Sequence, residues 1–414
     1  MDTQQYATDI VKKLVKAGHT AYFAGGWVRD HLMEHPSNDI DIATDASPDK
    51  ILDLFPRTIP IGLAFGVVIV LVDGKQFEVS TFRKDLNYVD GRRPEQVEYS
   101  TAQEDAKRRD FTINGMFYDP LEHVIHDFVG GAQDIKKQTI RAIGDPYERF
   151  TEDRLRLIRA VRFAARFGFK IDPETEEAIV ANADQLFPAV AMERVWQEFT
   201  KMSTSPRFGH ALLEMQRLNL LSVIFPSLQG VGLHKLKKYV ESFDYFPEGT
   251  PTILYLLELF PEMSVDKLVD IGRYLKISNR DIKLVELISM GRQLNFRNEI
   301  DPKEIEDREW VYFYAHPDSD LCLNVIAARL SKDEKDACLL KHQERKLQFK
   351  PHIERIQLGK PLVTAALLQA HGVLPGKPMG ILLKEAERMV INHNRESADE
   401  IVEKLKQTPL WPMK

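Results

Sequence analysis

The spacing of apolar and polar positions changes once along this chain. Up to about residue 140, short runs that alternate every second residue are mixed with helical spacings. After about residue 141 the three-to-four-residue spacing of helices takes over. The opening MDTQQYATDIVKKLVKAG reads as an amphipathic helix. AYFAG (21–25) reads as a strand ending in Gly25-Gly26, and WVRDHLM as the helix that follows. DIDIA (39–43) alternates acidic and apolar residues, the period of a half-buried strand. SPDKILDLF opens with Ser47 as N-cap and Pro48 at the first helical position. GVVIVLVDGKQFEVSTF reads as two strands joined at Asp73-Gly74. From Arg83 to Asp105 the text is polar and Arg-rich, with a turn signal at Asp90-Gly91 and little to build a core, so a mobile loop is expected there. HVIHDF (123–128) and Gly130-Gly131 close the mixed region. FDYFPEGTP and LVTAALLQAHGVLPGKP are expected to be loops between helices.

This pattern predicts an α+β chain, a mixed-sheet region followed by helices. At 414 residues the chain exceeds one ordinary domain. Cuts near 140, 200 and 310 divide it into 1–140, 141–200, 201–310 and 311–414. The 43% hydrophobic and 29% charged residues describe a soluble globular protein. No apolar run is long enough to span a bilayer, and the start lacks the apolar core of a signal peptide. Cys322 and Cys338 make neither a disulfide framework nor a zinc site. These features favour the cytoplasm, with no membrane association and no obligatory protein partner evident. A net charge of -6 argues against non-specific coating of nucleic acid but leaves a local basic groove open.

Chemistry concentrates in two places. Gly25 and Gly26 precede a helix whose first N–H groups suit an anion, with Arg29 one turn in. An ordinary strand–helix turn would look the same. Asp39 and Asp41, two apart on a strand, point to one face and repel each other. A hard divalent cation with oxygen ligands relieves that repulsion, and Mg²⁺ is the one that also carries nucleotide phosphates. In QFEVSTF, Phe77, Val79 and Thr81 share one face, which turns Glu78 to the other. If that strand lies beside the Asp strand, three carboxylates converge as ligands for two metals.

The second place is EDRLRLIRAVRFAAR (152–166). On a helical wheel Arg156, Arg159, Arg162 and Arg166 share a face with Glu152, and Asp153 lies at its margin. The stripe has few carboxylates to pair with, and Phe163 and Phe167 project the same way. A ligand with phosphates and a flat ring suits such a face. Arg108-Arg109-Asp110-Phe111-Thr112-Ile113-Asn114 repeats the theme: Arg for phosphate, Asp110 or Asn114 for ribose hydroxyls.

Taken together, GGWVRD…DIDIAT, FEVSTFR, DGRRPEQVEYSTAQEDAKRRDFTING and EDRLRLIRAVRFAARFGF resemble the class II tRNA nucleotidyltransferases, the bacterial CCA-adding enzymes and their relatives, over residues 20 to 225. The C-terminal region departs from the pattern, with Ala-Ala-Leu-Leu where a Gly-x-Asp-Leu element is expected. The resemblance implies a nucleotidyltransferase-type mixed-sheet head, then an all-helical neck, body and tail. It implies Asp39 and Asp41 as Mg²⁺ ligands, with Glu78 as the third carboxylate. Gly26, Arg29 and Arg109 would hold the triphosphate and Asp110 the ribose. Asp153 and Arg156 would hydrogen-bond the base of CTP or ATP, with Arg159 and Arg162 as further nucleotide contacts. The partner is the 3′ end of tRNA, held by body and tail, with HKLKKY (234–239) and the Lys and Arg from Lys341 to Lys360 as candidates.

Three other readings share part of this pattern. A CC-adding enzyme is disfavoured because the segment from Arg83 to Asp105, shortened in such relatives, is complete. An A-adding enzyme shares every motif. A bacterial poly(A) polymerase would carry a basic C-terminal run, absent from LKQTPLWPMK. From a different class, a catalytically dead RNA-binding protein on the same fold is opposed by the intact carboxylates.

Overall fold

The computed structural model describes residues 2–412 apart from Pro36, Gly62, 89–93 and 395–396. The expected Asp90-Gly91 turn therefore lies outside the described residues. Two compact units divide the chain, 1–238 and 239–414.

In the first unit the strands run β1 (Ala21–Ala24), β2 (Asp41–Thr44), β3 (Thr58–Ile59), β4 (Val67–Val72), β5 (Lys75–Thr81), β6 (Arg83–Tyr88), β7 (Pro94–Tyr99), β8 (Met116–Asp119) and β9 (Val124–Asp127). Seven of them form one mixed sheet in the order β3-β4-β5-β2-β1-β8-β9, while β6 and β7 pair apart. The helices among and after them begin with α1 (Thr3–Lys16), α2 (Gly26–Leu32), α3 (Pro48–Leu54), α4 (Ala102–Lys107), α5 (Gly131–Lys136), α6 (Pro146–Glu152), α7 (Leu155–Phe167), α8 (Pro173–Asn182) and α9 (Met192–Ser203), and further short helices follow from Phe208.

Helix α1 buries Ala7, Ile10, Val11 and Leu14, the three-and-four spacing of one helical face. That face, Val28 of α2 and Ile51 of α3 cover one side of the sheet over Phe23, Ile42, Val68, Val70, Phe77 and Val79. Ser47 caps α3 by accepting from Lys50 N, with Pro48 at the first position, as its sequence implies. Asp73 and Gly74 both take positive φ, the conformation of the tight turn that joins β4 to β5 antiparallel. The opposite side of the sheet has a smaller buried apolar cluster, Ala24, Ala43, Phe82, Ala106 and Phe117, and carries Asp41 and Glu78 beside it. One face is spent on stability, and the other is left for chemistry.

Two loop expectations need correcting. The polar stretch from Arg83 is a two-stranded antiparallel ribbon, β6 with β7, followed by α4. Its strands pair main chain to main chain, from Arg83 opposite Tyr99 to Tyr88 opposite Pro94, and its base is tied to α4, where buried Asp105 accepts from Arg83 N at 3.2 Å. The stretch 362–378 contains a helix, Ala365–Ala370, which Thr364 caps through Leu367 N and whose Leu368 is fully buried. FDYFPEGTP opens in a 3-10 turn, Glu241–Tyr245, and then runs as a connection to the helix at Thr252.

The second unit is helical. Its longest helix, Asn279–Ile300, lies in the part before residue 360, where buried Glu258 is bound by Arg292 and Arg329. Residues from Val363 to Leu405 close a cluster of their own, including Leu368, Leu382, Val390 and Ile401. Among the described residues no helix is long and apolar enough to cross a membrane.

Gly131 at the start of α5 fixes how closely that helix approaches Thr112–Asn114. A Cβ there would stand 2.2 Å from Thr112 O and 2.9 Å from Met116 Sδ. Overpacking costs about 1–3 kcal/mol, or roughly 2–10 °C in melting temperature for a unit of this size. Gly131→Ala is expected to melt several degrees below wild type, and an unchanged melting curve would show that α5 can back away freely.

Candidate active site

On the polar side of the sheet a cavity of about 750 Å³ gathers most of the sequence-predicted residues. Asp39, Asp41 and Glu78 line one part, Gly25, Gly26, Arg29, Arg109, Asp110 and Asn114 the middle, and Asp153, Arg156 and Arg159 the far wall. Glu152 and Arg162, expected among them, do not line it.

The carboxylates are brought together by pairing. β2 and β5 are parallel neighbours with Ile42 opposite Val79, so one step back along both strands Asp41 stands beside Glu78. Phe77, Val79 and Thr81 are buried while Glu78 is exposed, as the alternation implies. Asp39 is not in the strand, which begins only at Asp41. β1 ends opposite Asp41 and turns away at Gly25, so residues 38–40 have no strand partner on that side. Burial, then Glu78 and Asp39, push the Asp41 carboxyl up to about 7, against a lowering pull from Arg109.

Among the described residues no three His, Cys, Asp or Glu side chains form a ready-made metal cage. The donor set nevertheless suits a hard divalent cation, because burial together with the neighbouring Glu78 and Asp39 carboxylates disfavours the charged form of Asp41, and a cation there would relieve that cost. Gly25 keeps that corner open. Its φ is +67°, and a Cβ would stand 3.2 Å from Arg109 Nη1 and 3.8 Å from Asp41 Oδ2.

A continuous set of hydrogen bonds ties α2 to α7. Arg29, only 4% exposed, donates to Asp30 Oδ1 through Nε and Nη2 and to Asn114 Oδ1 through Nη1 at 2.6 Å. Asn114 Nδ2 donates to Asp110 Oδ1 at 3.0 Å. Arg159 donates to Asp110 Oδ2 through Nε at 2.9 Å and Nη2 at 2.5 Å. Burial alone would raise the Asp110 carboxyl, but Arg159 with Asn114 overrides it and holds it well below the carboxylate range. Arg109 grips Asp105 Oδ2 at 3.0 and 3.1 Å and lies over the Phe117 ring.

The arginine segment corrects the sequence reading twice. It is not one helix: α6 ends at Glu152, Asp153 is extended, and α7 starts at Leu155. Asp153 Oδ1 accepts from Leu155 N, a local bond that competes with helix continuation. Nor is the stripe short of carboxylates. Arg156 pairs with Glu152 at 2.8 Å, Arg159 with Asp110, Arg162 with Glu198 at 2.5 Å and Arg166 with Asp30 at 3.7 Å. Three of these partners come from elements distant in sequence, which a helical wheel does not contain. The break sets Asp153 and Arg156 side by side. Arg194 holds Asp153 through two N–H···O bonds, and Arg156 donates to the main-chain oxygens of Arg149 and Arg108. Arg194 and the wall residue Lys201 had no motif to betray them; both sit on α9, an ordinary amphipathic helix by its sequence.

The chain is similar to known proteins along most of its length. The family model of the poly A polymerase head domain matches residues 21–141, and that of a probable RNA and SrmB- binding site of polymerase A matches residues 168–230. A CCA-adding enzyme from Enterococcus faecalis is 32% identical over 400 residues, 96% of this chain and 94% of that protein. Against a CCA-adding enzyme from Anoxybacillus flavithermus the identity is 41%, over a stretch spanning 53% of this chain and 55% of that protein. The crystal structure of a Bacillus stearothermophilus CCA-adding enzyme in complex with CTP superposes with a TM-score of 0.78 at 27% identity, covering 98% of both chains.

The crowding at Asp41 has a measurable sign. Its folded-state carboxyl titrates near 7, above its ordinary value of 3.8, so ionising it opposes folding as pH rises from about 4 to 7. Without divalent cations, Asp41→Asn is expected to melt with wild type near pH 4 and a few degrees above it at pH 8. Added Mg²⁺ should raise wild type alone and narrow the gap. Equal melting at pH 8, or no response to Mg²⁺, would contradict the arrangement.

Proposed function

This chain belongs to the class II CCA-adding enzyme family, and from that membership and the chemistry of the pocket we infer that it adds C, C and A to the 3′ end of tRNA, using CTP and ATP and releasing diphosphate. The observation that carries the reading is one cavity with hard carboxylate oxygens at one end and the Asp153–Arg156 pair at the other. A nucleoside triphosphate has the same polarity, phosphates at one end and a hydrogen-bonding base at the other.

When bound by Asp39, Asp41 and Glu78, Mg²⁺ supplies Lewis-acid stabilisation to the reacting phosphoryl oxygens. The side chains do the rest. Gly26 lets the triphosphate approach the backbone, and Arg29 and Arg109, fixed by Asp30, Asn114 and Asp105, keep unspent N–H donors for it. Asp110 accepts from Arg159, Asn114 and Phe111 N, so it positions Arg159 before it serves as a ribose ligand. Arg194 on one side and main-chain oxygens on the other hold Asp153 and Arg156 as an acceptor–donor pair that stands in for a template base. Arg162 and Glu152 act from behind this wall, through Glu198 and Arg156. Head, neck, body and tail correspond to 1–140, 141–200, 201–310 and 311–414, the last two gripping tRNA through phosphate contacts.

Arg156→Ala is expected to erode preference for C and A over U and G by about 1–3 kcal/mol, while triphosphate binding is largely kept. Wild-type relative use of the four nucleotides by this variant would remove Arg156 from base selection.

The reading as a whole is tested by sequencing products from three tRNAs, ending before the first C, after CC and after CCA. The first two should finish at CCA and the third should stay unextended. Extension of the CC-ended tRNA alone would make this an A-adding enzyme, and long A tails would make it a poly(A) polymerase.

A further inference from the structure

One line of residues crosses the sheet at right angles to its strands. Ile59 pairs with Ile69, and Ile69 with Glu78. Asp41 stands beside Glu78 and pairs with Ala24, Ala24 with Phe117, and Phe117 with His126. Alternation puts these side chains on the polar face, since Val68, Val70, Phe77 and Val79 fill the opposite core. The carboxylates sit in the middle of the line.

The two halves are unlike. The β1 and β8 half belongs to the incoming nucleotide, because Gly25 and Gly26 follow β1, and Arg109, Asp110 and Asn114 lie in the segment that leads into β8. The β5–β4–β3 half contributes Glu78 to the cavity and no arginine. Next to Glu78 it carries half-buried Ile69 and, on the edge strand, Ile59, which is 37% exposed. Ile61, 58% exposed, is held close by its N–H bond to Ile59 O at 3.0 Å, and Leu63 beyond it is 41% exposed. Exposed branched residues along a sheet edge invite unwanted pairing unless something covers them.

In phosphoryl transfer the attacking and leaving oxygens lie roughly in line on opposite sides of phosphorus. With the triphosphate on the β1–β8 side, the RNA 3′-hydroxyl reaches the carboxylates from the β5–β3 side. We propose that Ile59, Ile61 and Ile69, with Leu63, form an apolar shelf that seats the 3′-terminal nucleoside of the RNA acceptor beside Glu78. The inference rests on the tRNA-extending function above. An apolar seat suits this reaction for a further reason: the acceptor's last base changes with each addition. Every base has an apolar face, so contact with that face tolerates the change, whereas a hydrogen-bonding seat would be correct for one base only.

The test is a cycle of enzyme and substrate changes. Single-turnover addition of A is followed at saturating ATP, as a function of tRNA concentration. The tRNAs end in CC, either intact or lacking the base of the last nucleotide. The wild-type half-saturating concentration should rise about tenfold when that base is missing, the scale of one lost stacking contact. The Ile59→Ser/Ile61→Ser variant should need about tenfold more intact tRNA and show no further loss with the abasic one. Its melting temperature and its apparent affinity for ATP should match wild type, because both residues are exposed. Ile59→Phe should bind intact tRNA at least as tightly as wild type. Wild-type behaviour of the double-serine variant, or equal tenfold losses with both tRNAs, would overturn the shelf. A wild-type protein that extends neither tRNA would instead sink the functional reading beneath it.

Discussion

Like charges stay together only where a rigid frame holds them, and here the frame is the parallel pairing of β2 with β5. It sets Asp41 beside Glu78 at one strand spacing, with Asp39 just ahead of the strand. The apolar face beneath, from Phe77 and Val79 to Ile42, cannot shift by one residue without turning every side chain over. Core packing therefore supplies the force that keeps the carboxylates crowded. Gly25, Arg109 and the bonds from Arg29 to Arg159 are arranged around that fixed concentration of negative charge.

The arginines answer it in a particular way. None of Arg29, Arg156, Arg159 and Arg162 faces the cavity as a bare cation; each holds a carboxylate, from Asp30 to Glu198. The donors left over on these arginines are thereby already oriented toward the cavity's polar space. Preorganised donors cost little to aim at the moment of reaction, which is the main economy available to phosphoryl transfer. The same bonds restrain α2, the segment 110–114 and α7 relative to one another within the first unit.

Local pattern made much of this readable. The alternation in QFEVSTF gave the facing of Glu78, Asp73-Gly74 gave the hairpin, and Gly25-Gly26 marked the turn into α2. What stayed hidden was contact between distant segments. Glu198, Arg194 and Lys201 belong to α9, whose sequence shows only helical spacing. The break at Asp153 was hidden because a side-chain bond to Leu155 N outweighs an unbroken helical pattern. The ribbon from Arg83 is hard to see in the sequence because its polar strands show no clear apolar alternation, although their main chains pair. Asp39 was placed in a strand because alternation does not reveal where the neighbouring strand stops.

The cluster that closes on itself from Val363 onward has its own consequence. A hydrophobic core drawn from one contiguous stretch can open as a unit without dragging other cores with it. Among its ties to the preceding helices are polar ones, Arg388 to Glu306 and Arg355 to Glu387, whose strength falls with ionic strength. The end of the chain can thus behave as a semi-independent foldon, exchanging its amide hydrogens and meeting proteases on a clock that differs from that of the sheet.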